Sequence, residues 1–309
     1  MATALTGWLA EARIEAQPRF VRHRLGRLHA LELGRGPQTL LILPGLGASA
    51  ADFAPLMAQL QDHYRVLALD RPGSGLSDPV HASGSPRELW EQCLGEVADQ
   101  LELGRFHLLG HSLGGLVAGS YAIAHPDRFG RLVLLSPLGL SPTLPWMWNL
   151  ALLPGAMPAM RALERAATRA GRVQLSLTLT RRAPRELTGA AARYRQLLQS
   201  RPVAGTDLSR VPRLLRPLHF RPEASLLPAL GLVADRTLVV WGEEDLDLPY
   251  EDAREALSSF PSLRLRLVPG ATHLLPFEDP ALVARLVREG IEGPAKQQAR
   301  RVSPAPAPG

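Results

Sequence analysis

One serine of this chain lies in a setting that suits a nucleophile. Ser112 is central in the run Gly110-His111-Ser112-Leu113-Gly114-Gly115, between an apolar stretch typical of a strand and one typical of a helix. So tight a strand-to-helix turn requires small residues two positions to each side, because larger side chains would collide with the backbone. Gly110 and Gly114 provide that room. The turn exposes the hydroxyl and leaves the Leu113 amide at a helix N-terminus, where developing negative charge is favoured.

A serine hydroxyl needs a base before it can attack, and His273 is the candidate. It follows Gly270 in a loop after the last predicted strand and precedes an apolar run to Phe277. Such a loop brings an imidazole over the sheet edge, where it accepts the hydroxyl proton and later returns it to the leaving group. His111 is the rival because it adjoins Ser112. Adjacent side chains on a tight turn point apart, so we interpret His111 as a packing residue.

The elements that must position these residues follow from the hydrophobic pattern. Apolar runs alternate with amphipathic ones, which predicts an α/β fold with a mostly parallel central sheet flanked by helices. The predicted strands are 20–25, 28–33, 39–43, 64–69, 106–109, 131–136, 237–241 and 263–268. The predicted helices are 50–60, 86–103, 113–124, 249–259 and 280–289.

The alternation breaks in the middle of the chain, which predicts four parts. Residues 1–137 and 226–293 form the two parts of the sheet domain, 138–225 a helical cap inserted between them, and 294–309 a disordered tail rich in proline and alanine. The start of the cap is apolar and could line an acyl or aromatic pocket or simply pack onto the core. The apolar residues there are Trp146, Met147, Trp148, Leu150, Leu152 and Leu153.

The distribution of charge bears on partners more than its total. The formal net charge of the 309 residues is +6. The segment from Arg161 to Arg221 contains fourteen arginines and three acidic residues, so its own net charge is +11 and the rest of the chain is net acidic. Such a segment suits an anionic substrate, an acidic partner or a membrane surface, or is a solvated helical face. We expect at most weak association with acidic surfaces and no nucleic-acid partner; the oligomeric state stays open.

Cysteine content and hydropathy bear on the compartment. Cys93 is the single cysteine, so no intrachain disulfide forms and a reducing interior is expected. Its helical spacing with Leu89 and Val97 favours a buried small hydrophobe over a nucleophile. The least charged stretch, 138–160, contains four prolines, and the N-terminus has no basic region before a long apolar run. We therefore expect no spanning helix, no cleaved signal peptide and a cytoplasmic protein.

Together these motifs resemble the α/β-hydrolase family, in its serine-nucleophile, capped, esterase- or lipase-like branch. The similarity covers about 20–148 and 226–289. Four segments carry it besides the turn at Ser112: Leu43-Pro44-Gly45-Leu46-Gly47, Asp70-Arg71-Pro72-Gly73-Ser74-Gly75-Leu76-Ser77, Trp241-Gly242-Glu243-Glu244-Asp245 and Pro269-Gly270-Ala271-Thr272-His273. They follow the family's order of nucleophile, acid and histidine.

The resemblance implies an acid that holds His273 in the correct tautomer and stabilises the imidazolium. Asp245 fits the family pattern best, and Asp247 comes next. Their neighbours Glu243 and Glu244 would serve only if the turn is offset. A further aspartate, Asp70, resembles the family's turn aspartate and is expected to be structural.

The resemblance also implies an oxyanion hole made by two backbone amides. Leu113 provides one, and Leu46 provides the second because Gly45 lets the chain turn sharply into the site. Many relatives have His-Gly where this chain has Pro44-Gly45. A backbone donor survives that difference, but the loop loses the histidine's hydrogen bond.

The implied activity is hydrolysis of an ester-like carbonyl in a small apolar or amphiphilic substrate, through a Ser112-Asp245-His273 triad and an acyl-enzyme. Serine at the turn argues against the family's dehalogenase and epoxide-hydrolase branches, which use a carboxylate. The same residues could hydrolyse a carbon–carbon bond or a lactone, or act as a cofactor-free haloperoxidase-like perhydrolase. A non-catalytic binding module is the alternative of another class. No metal or organic cofactor is expected, since Gly73-Ser74-Gly75 is too short for a dinucleotide loop.

Overall fold

The computed structural model describes residues 2–23, 26–78, 86–141, 225–293 and 300–301, whose strands form one sheet. The strands are β1 (Gln17–His23), β2 (Gly26–Leu33), β3 (Gln38–Leu43), β4 (Tyr64–Leu69), β5 (Phe106–His111), β6 (Phe129–Leu135), β7 (Thr237–Gly242), β8 (Arg264–Val268) and β9 (Arg300–Arg301). Their order across the sheet is β1-β2-β4-β3-β5-β6-β7-β8-β9. The pairs β1–β2 and β2–β4 are antiparallel, and every later pair is parallel.

Helices cover both faces of this sheet. The α-helices among the described residues are α1 (Ala2–Glu11), α2 (Ala54–Leu60), α3 (Pro86–Gln100), α4 (Leu113–Ala124), α5 (Leu227–Leu230), α6 (Glu251–Ser258), α7 (Leu275–Glu278) and α8 (Pro280–Glu292). Successive side chains of a strand point to opposite faces. In β3, Leu41 and Leu43 therefore join a core with α3, α4 and α6, while Leu40 and Ile42 join a second core with α1, α2 and α8. The predicted fold class is confirmed.

The parallel strands bring the chemical motifs to one edge of the sheet. Their carboxyl ends point the same way, and ligands of open α/β sheets bind outside those ends. Five strand ends carry the motifs: β3 leads to Gly45, β4 to Asp70, β5 to Ser112, β7 to Asp245 and β8 to His273. Residues far apart in sequence thus meet at one place.

Parts of the predicted organisation differ from the structure or lie outside the described residues. The helix α1 was not predicted, although Leu5 and Leu9, one helical turn apart, are both buried. Arg300–Arg301 pairs with the edge of β8, and the disorder expected over 294–309 stays a prediction. An open strand edge offers unpaired backbone groups, which explains the pairing. Most of the predicted cap, including the apolar residues 146–153, lies outside the described residues.

None of the described helices is both long and apolar enough to cross a bilayer.

Candidate active site

The turn at Ser112 is strained in the way that the flanking glycines predict. Ser112 has φ 54° and ψ −120°, a conformation that L-residues rarely adopt. A Cβ on Gly114 would lie 2.0 Å from the carbonyl oxygen of Leu43, and one on Gly110 would lie 2.4 Å from the carbonyl oxygen of Gly114. Only glycine fits at either position, so the predicted need for room is confirmed.

Backbone hydrogen bonds hold the strained serine between sheet and helix. Its N–H donates to the Leu135 carbonyl of β6 at 3.0 Å, and its carbonyl accepts from the N–H groups of Gly115 and Leu138 at 2.9 Å each. The side chain is half-buried. Within the described part of the chain the hydroxyl of Ser112 has no hydrogen-bond partner. The turn therefore fixes the backbone of Ser112 and leaves its oxygen available.

His273 and Asp245 are in direct contact. The Nδ1 atom of His273 lies 2.8 Å from Oδ2 of Asp245, and both side chains are buried. The other oxygen, Oδ1 of Asp245, accepts from the backbone N–H groups of Asp247 at 3.0 Å and Leu248 at 2.8 Å. The carboxylate is thus oriented by two amides and one imidazole, and Nε2 of His273 remains for other chemistry.

The other acidic candidates lie differently around this pair. Asp247 is buried, and its backbone N–H donates to Asp245. Glu243 and Glu244 are exposed. Of the four acids that the sequence offered, Asp245 has a carboxylate hydrogen-bonded to His273.

The electrostatics of the pair follow from burial and from the two aspartates. Burial is the largest single effect, and it lowers the pKa of His273. The charge and hydrogen bond of Asp245 and the charge of Asp247 together outweigh burial, so the pKa of His273 is raised above its ordinary 6.5. Burial raises the pKa of Asp247 to about 6. Protonated His273 is therefore stabilised, as a base that must hold a proton requires.

His111 joins the strained turn to the histidine loop. Its Nε2–H donates to the carbonyl oxygen of His273 at 2.8 Å, and its ring centroid lies 5.0 Å from that of His273. The ring also contacts Phe53 and Phe277. Burial and the charge of His273 lower the pKa of His111 to about 3, so it is neutral at neutral pH. The packing interpretation holds, but the hydrogen bond spans 162 residues of sequence, and no local pattern predicts it.

The predicted oxyanion residues flank Ser112. Gly45 is so close that a Cβ on it would lie 2.9 Å from Cβ of Ser112, which places the following Leu46 at the same side. Leu113 is the first residue of α4. Among the described residues, no acceptor is found for the backbone N–H of Leu46 or of Leu113. The Leu113 amide thus follows Ser112 directly, and the Leu46 amide belongs to the peptide of Gly45, which packs against Ser112.

The loop after β4 supports the loop of Gly45. Asp70 is buried and accepts from Ala50 N at 2.6 Å, Leu76 N at 2.8 Å and His29 Nδ1 at 2.7 Å. This agrees with the structural role expected for Asp70. The next residue, Arg71, donates from Nη2 to the carbonyl oxygen of Gly45 at 3.1 Å.

Over the described ranges, no three or more His, Cys, Asp or Glu side chains are grouped so as to hold a metal ion.

The fold and this edge of the sheet define a class. A family model described as the alpha/beta hydrolase fold matches residues 38–280. The chain therefore belongs to the α/β-hydrolase family and is a hydrolase.

Individual relatives refine the comparison. The chain is 27% identical over 278 residues to the 2-hydroxy-6-oxononadienedioate/2-hydroxy-6-oxononatrienedioate hydrolase of Escherichia coli (strain K12 / DH10B), covering 87% of this chain and 92% of that protein. It is 42% identical over 116 residues to the hydrolase of the same name from Cupriavidus pinatubonensis, covering 35% of this chain and 39% of that protein. Among solved structures, naproxen esterase (carboxylesterase NP) from Bacillus subtilis superposes with a TM-score of 0.68 at 20% identity, covering 93% of this chain and 95% of that one. This last likeness concerns the fold alone.

Proposed function

We propose that the protein is a serine hydrolase that breaks a carbon–carbon bond beside a ketone, with Ser112 as nucleophile, His273 as base and Asp245 as its acid partner. The observation that carries the proposal is the 2.8 Å contact between His273 Nδ1 and Asp245 Oδ2, on the edge of the sheet where Ser112 is held in a strained turn. A buried acid, a histidine with a raised pKa and an available hydroxyl form the set that acyl transfer needs.

The first half of the reaction forms an acyl-enzyme. Asp245 is hydrogen-bonded to Nδ1 of His273, so Nε2 is the atom that takes the proton of Ser112. At the same time the Ser112 oxygen attacks the substrate ketone. The amides of Leu46 and Leu113 donate to the resulting oxyanion. The adduct then collapses, the carbon–carbon bond breaks, and His273 delivers its proton to the departing carbon. Conjugation with a second carbonyl group must stabilise that carbon as it leaves.

The second half releases the acid. His273 removes a proton from water, the hydroxide attacks the acyl carbon, and the ester bond to Ser112 breaks as the proton returns to the serine oxygen. Over the whole cycle one water is consumed: its OH ends on the acyl fragment, the proton of Ser112 ends on the carbon fragment, and the second proton of the water replaces it on Ser112. No redox partner is needed for this balance.

Similarity to whole proteins supports carbon–carbon over ester cleavage. The name of the E. coli relative describes a hydroxy-oxo dicarboxylate that contains no ester or amide, so its hydrolysis must break a carbon–carbon bond. The match extends over 92% of that protein. For this chain the relationship favours a small anionic hydroxy-oxo acid as substrate, in place of the apolar or amphiphilic ester that the motifs alone suggested.

Ester hydrolysis is the second candidate. The same nucleophile, base and amides act on an ester carbonyl, with an alcohol as leaving group in place of carbon. The shared fold with naproxen esterase is compatible with this reaction but rests on 20% identity.

A substrate comparison separates the two reactions. We would measure kcat/KM for 2-hydroxy-6-oxononadienedioate and for p-nitrophenyl esters from acetate to palmitate, with wild type and Ser112→Ala. The proposal expects the diacid to be the better substrate and both activities to fall by several orders of magnitude in the variant. Esters turned over far better than the diacid would make ester cleavage the function. A wild-type protein inactive on both, despite a folded sheet, would point to the non-catalytic alternative.

A further inference from the structure

Arg71 is a buried cation whose burial the sheet domain does not explain. Its residue surface is only 7% exposed, and among the described residues no carboxylate lies within ion-pair distance of it. Burial lowers the pKa of Arg71 to about 10, with the charge of Asp70 opposing, so the guanidinium remains protonated at neutral pH. Burying a cation without a paired carboxylate is costly, and such groups are concentrated at functional sites.

The contacts of Arg71 point to one peptide group. Nη2 donates to the carbonyl oxygen of Gly45 at 3.1 Å, and the guanidinium carbon lies 5.3 Å from the ring centroid of Trp90, a cation–π distance. The Nε atom has no hydrogen-bond partner in the described part of the chain. The single hydrogen bond of this guanidinium to the described residues therefore goes to Gly45.

The accepting carbonyl belongs to the same peptide unit as the Leu46 amide. A trans peptide is planar, and its C=O and N–H point in opposite directions. A donor fixed on the oxygen of Gly45 therefore fixes the direction of the Leu46 N–H. The N–H of Ala48 also donates to this oxygen at 3.3 Å, so both lone pairs of the carbonyl are engaged.

The charge of Arg71 adds a second effect. A cationic donor makes a stronger hydrogen bond than a neutral one. Hydrogen bonds in series polarise one another, so a charged donor on the oxygen strengthens the N–H on the far side of the same peptide as a donor. Both effects act on the amide that flanks Ser112.

We propose that Arg71 is a positioning residue that orients and polarises the Gly45–Leu46 peptide so that the Leu46 amide donates to the oxyanion. This inference rests on the proposed function, in which that amide is one of the two oxyanion donors. Arg71 touches no reacting atom; it acts through the peptide.

The neighbouring loop is built to hold the arginine in place. Arg71 is the second residue after β4, and the preceding Asp70 is fixed by the backbone N–H groups of Ala50 and Leu76. Ser74 in the same loop donates to the carbonyl oxygen of Ala48, on the loop that contains Gly45. The two loops are therefore tied together on both sides of the Arg71 contact.

The test compares binding of the ground state with stabilisation of the oxyanion. We would measure kcat and KM of wild type, Arg71→Met and Arg71→Lys on whichever substrate wild type turns over. We would also measure their affinity for a boronic acid, because its adduct with the serine places an oxygen in the oxyanion hole. Loss of a whole oxyanion donor costs about 100- to 1000-fold in kcat. For a misoriented donor we expect kcat and boronate affinity to fall together about 10- to 100-fold in Arg71→Met, with KM within about threefold. Arg71→Lys keeps a cationic donor and should recover part of both.

Arg264 provides the matched control. It is also a buried arginine that donates to backbone carbonyls, those of Glu289 and Gly290, but it lies at the start of β8, away from the active-site edge. Arg264→Met should lower the midpoint of urea unfolding and leave kcat of the folded protein unchanged. A structural role for Arg71 would give the same pattern in Arg71→Met, and that result would overturn the proposal.

Chemical rescue gives an independent readout. Arg71 borders a cavity of about 20 Å³ beside Trp90 and Gly114, and Arg71→Ala would enlarge it by the volume of the lost side chain. Guanidinium ion at tens of millimolar, below denaturing concentration, should raise kcat of Arg71→Ala more than sodium does at equal ionic strength, and should leave Arg264→Ala unaffected.

The remaining outcomes also decide the question. A raised KM with unchanged kcat in Arg71→Met would assign Arg71 to substrate binding and overturn the proposal. If Arg71→Met does not fold, Arg71→Lys decides: a several-fold loss of kcat at constant KM supports the proposal, and an unchanged kcat overturns it. Failure of the proposed function is seen separately, in wild type itself, as absence of turnover and of boronate binding, and the proposal then falls with it.

Discussion

At the residue scale, the two buried aspartates that follow β7 have different partners and should differ in their effect on catalysis. Asp245→Asn removes the carboxylate that contacts His273 Nδ1, and an amide can favour the wrong imidazole tautomer. We expect kcat to fall by about 10³- to 10⁴-fold. Asp247→Asn is the matched control and should cost less than about tenfold, since its carboxylate makes no hydrogen bond to the imidazole. Steady-state kinetics of the two variants decide; equal losses would assign the acid role to both or to Asp247.

The raised pKa of His273 predicts the pH dependence of activity. The base must be neutral in the free enzyme, so kcat/KM should rise with pH through the pKa of His273. Burial lowers this pKa, but Asp245 and Asp247 raise it by more. The acid limb is therefore expected above pH 6.5. Because the charge of Asp247 raises this pKa, Asp247→Asn should move the limb to lower pH. A pH–rate profile in which the limb lies well below 6.5, or moves upward in the variant, would contradict this account.

The sequence was informative about residues whose role depends on local pattern. Ser112 is marked by its own glycines, and His273 and Asp245 each follow a predicted strand. The contacts of Arg71 with Gly45 and of His111 with His273 join distant segments, and only the three-dimensional arrangement reveals them.

At the scale of elements, the junction of β5 and α4 depends on glycine for close approach. A Cβ on Gly114 would lie 2.0 Å from the Leu43 carbonyl oxygen on β3, so Gly114→Ala must push strand and helix apart. We expect the free energy of unfolding to fall by more than about 2 kcal/mol. Gly104→Ala is the control, because a Cβ there meets no atom within 4 Å. Its effect should stay within about 1 kcal/mol. Urea unfolding of both variants tests this, and equal stabilities would refute the packing argument.

Sequence patterns predicted the buried strands well and the chain ends poorly. β4 was predicted with its observed bounds, since its run is apolar apart from Arg65. β1 begins at Gln17, three residues before the prediction, because an edge strand with mostly exposed residues lacks an apolar signal. The helix α1 was missed since it lacks strong end signals, and its burial of Leu5 and Leu9 depends on the second core.

At the scale of the whole molecule, two buried histidines should make the fold less stable in mild acid. Burial, followed by neighbouring positive charges, lowers the pKa of His107 to about 4 and that of His111 to about 3. Below pH 6.5 the unfolded chain therefore binds two protons that the native state does not. The native state binds one extra proton at Asp247, whose pKa burial raises to about 6, and this opposes the loss.

Between about pH 5.5 and pH 4 the unfolded chain therefore binds about one proton more than the native state, so lowering the pH favours unfolding. We expect the free energy of unfolding to fall by roughly 1 kcal/mol per pH unit across this range. Urea unfolding at half-unit pH intervals measures it. A stability that is flat or increases as the pH is lowered from 5.5 to 4 would contradict the burial of the two neutral histidines.

The overall architecture was predictable because the alternation of strand and helix is strong on both sides of the middle segment. We propose that this segment, 138–225, is a cap over the edge of the sheet that carries Ser112 and that it selects the substrate. Its fourteen arginines between residues 161 and 221 would suit an anionic substrate.

The central claim is that Ser112 is the nucleophile, and covalent labelling tests it most directly. Wild type, Ser112→Ala and Asp247→Asn are treated with a fluorophosphonate, and the adduct is counted by intact mass and located by peptide mass spectrometry. The account predicts one adduct per chain, on Ser112, absent from Ser112→Ala and retained in Asp247→Asn. An unlabelled wild type, or a label on another residue that persists in Ser112→Ala, would contradict it.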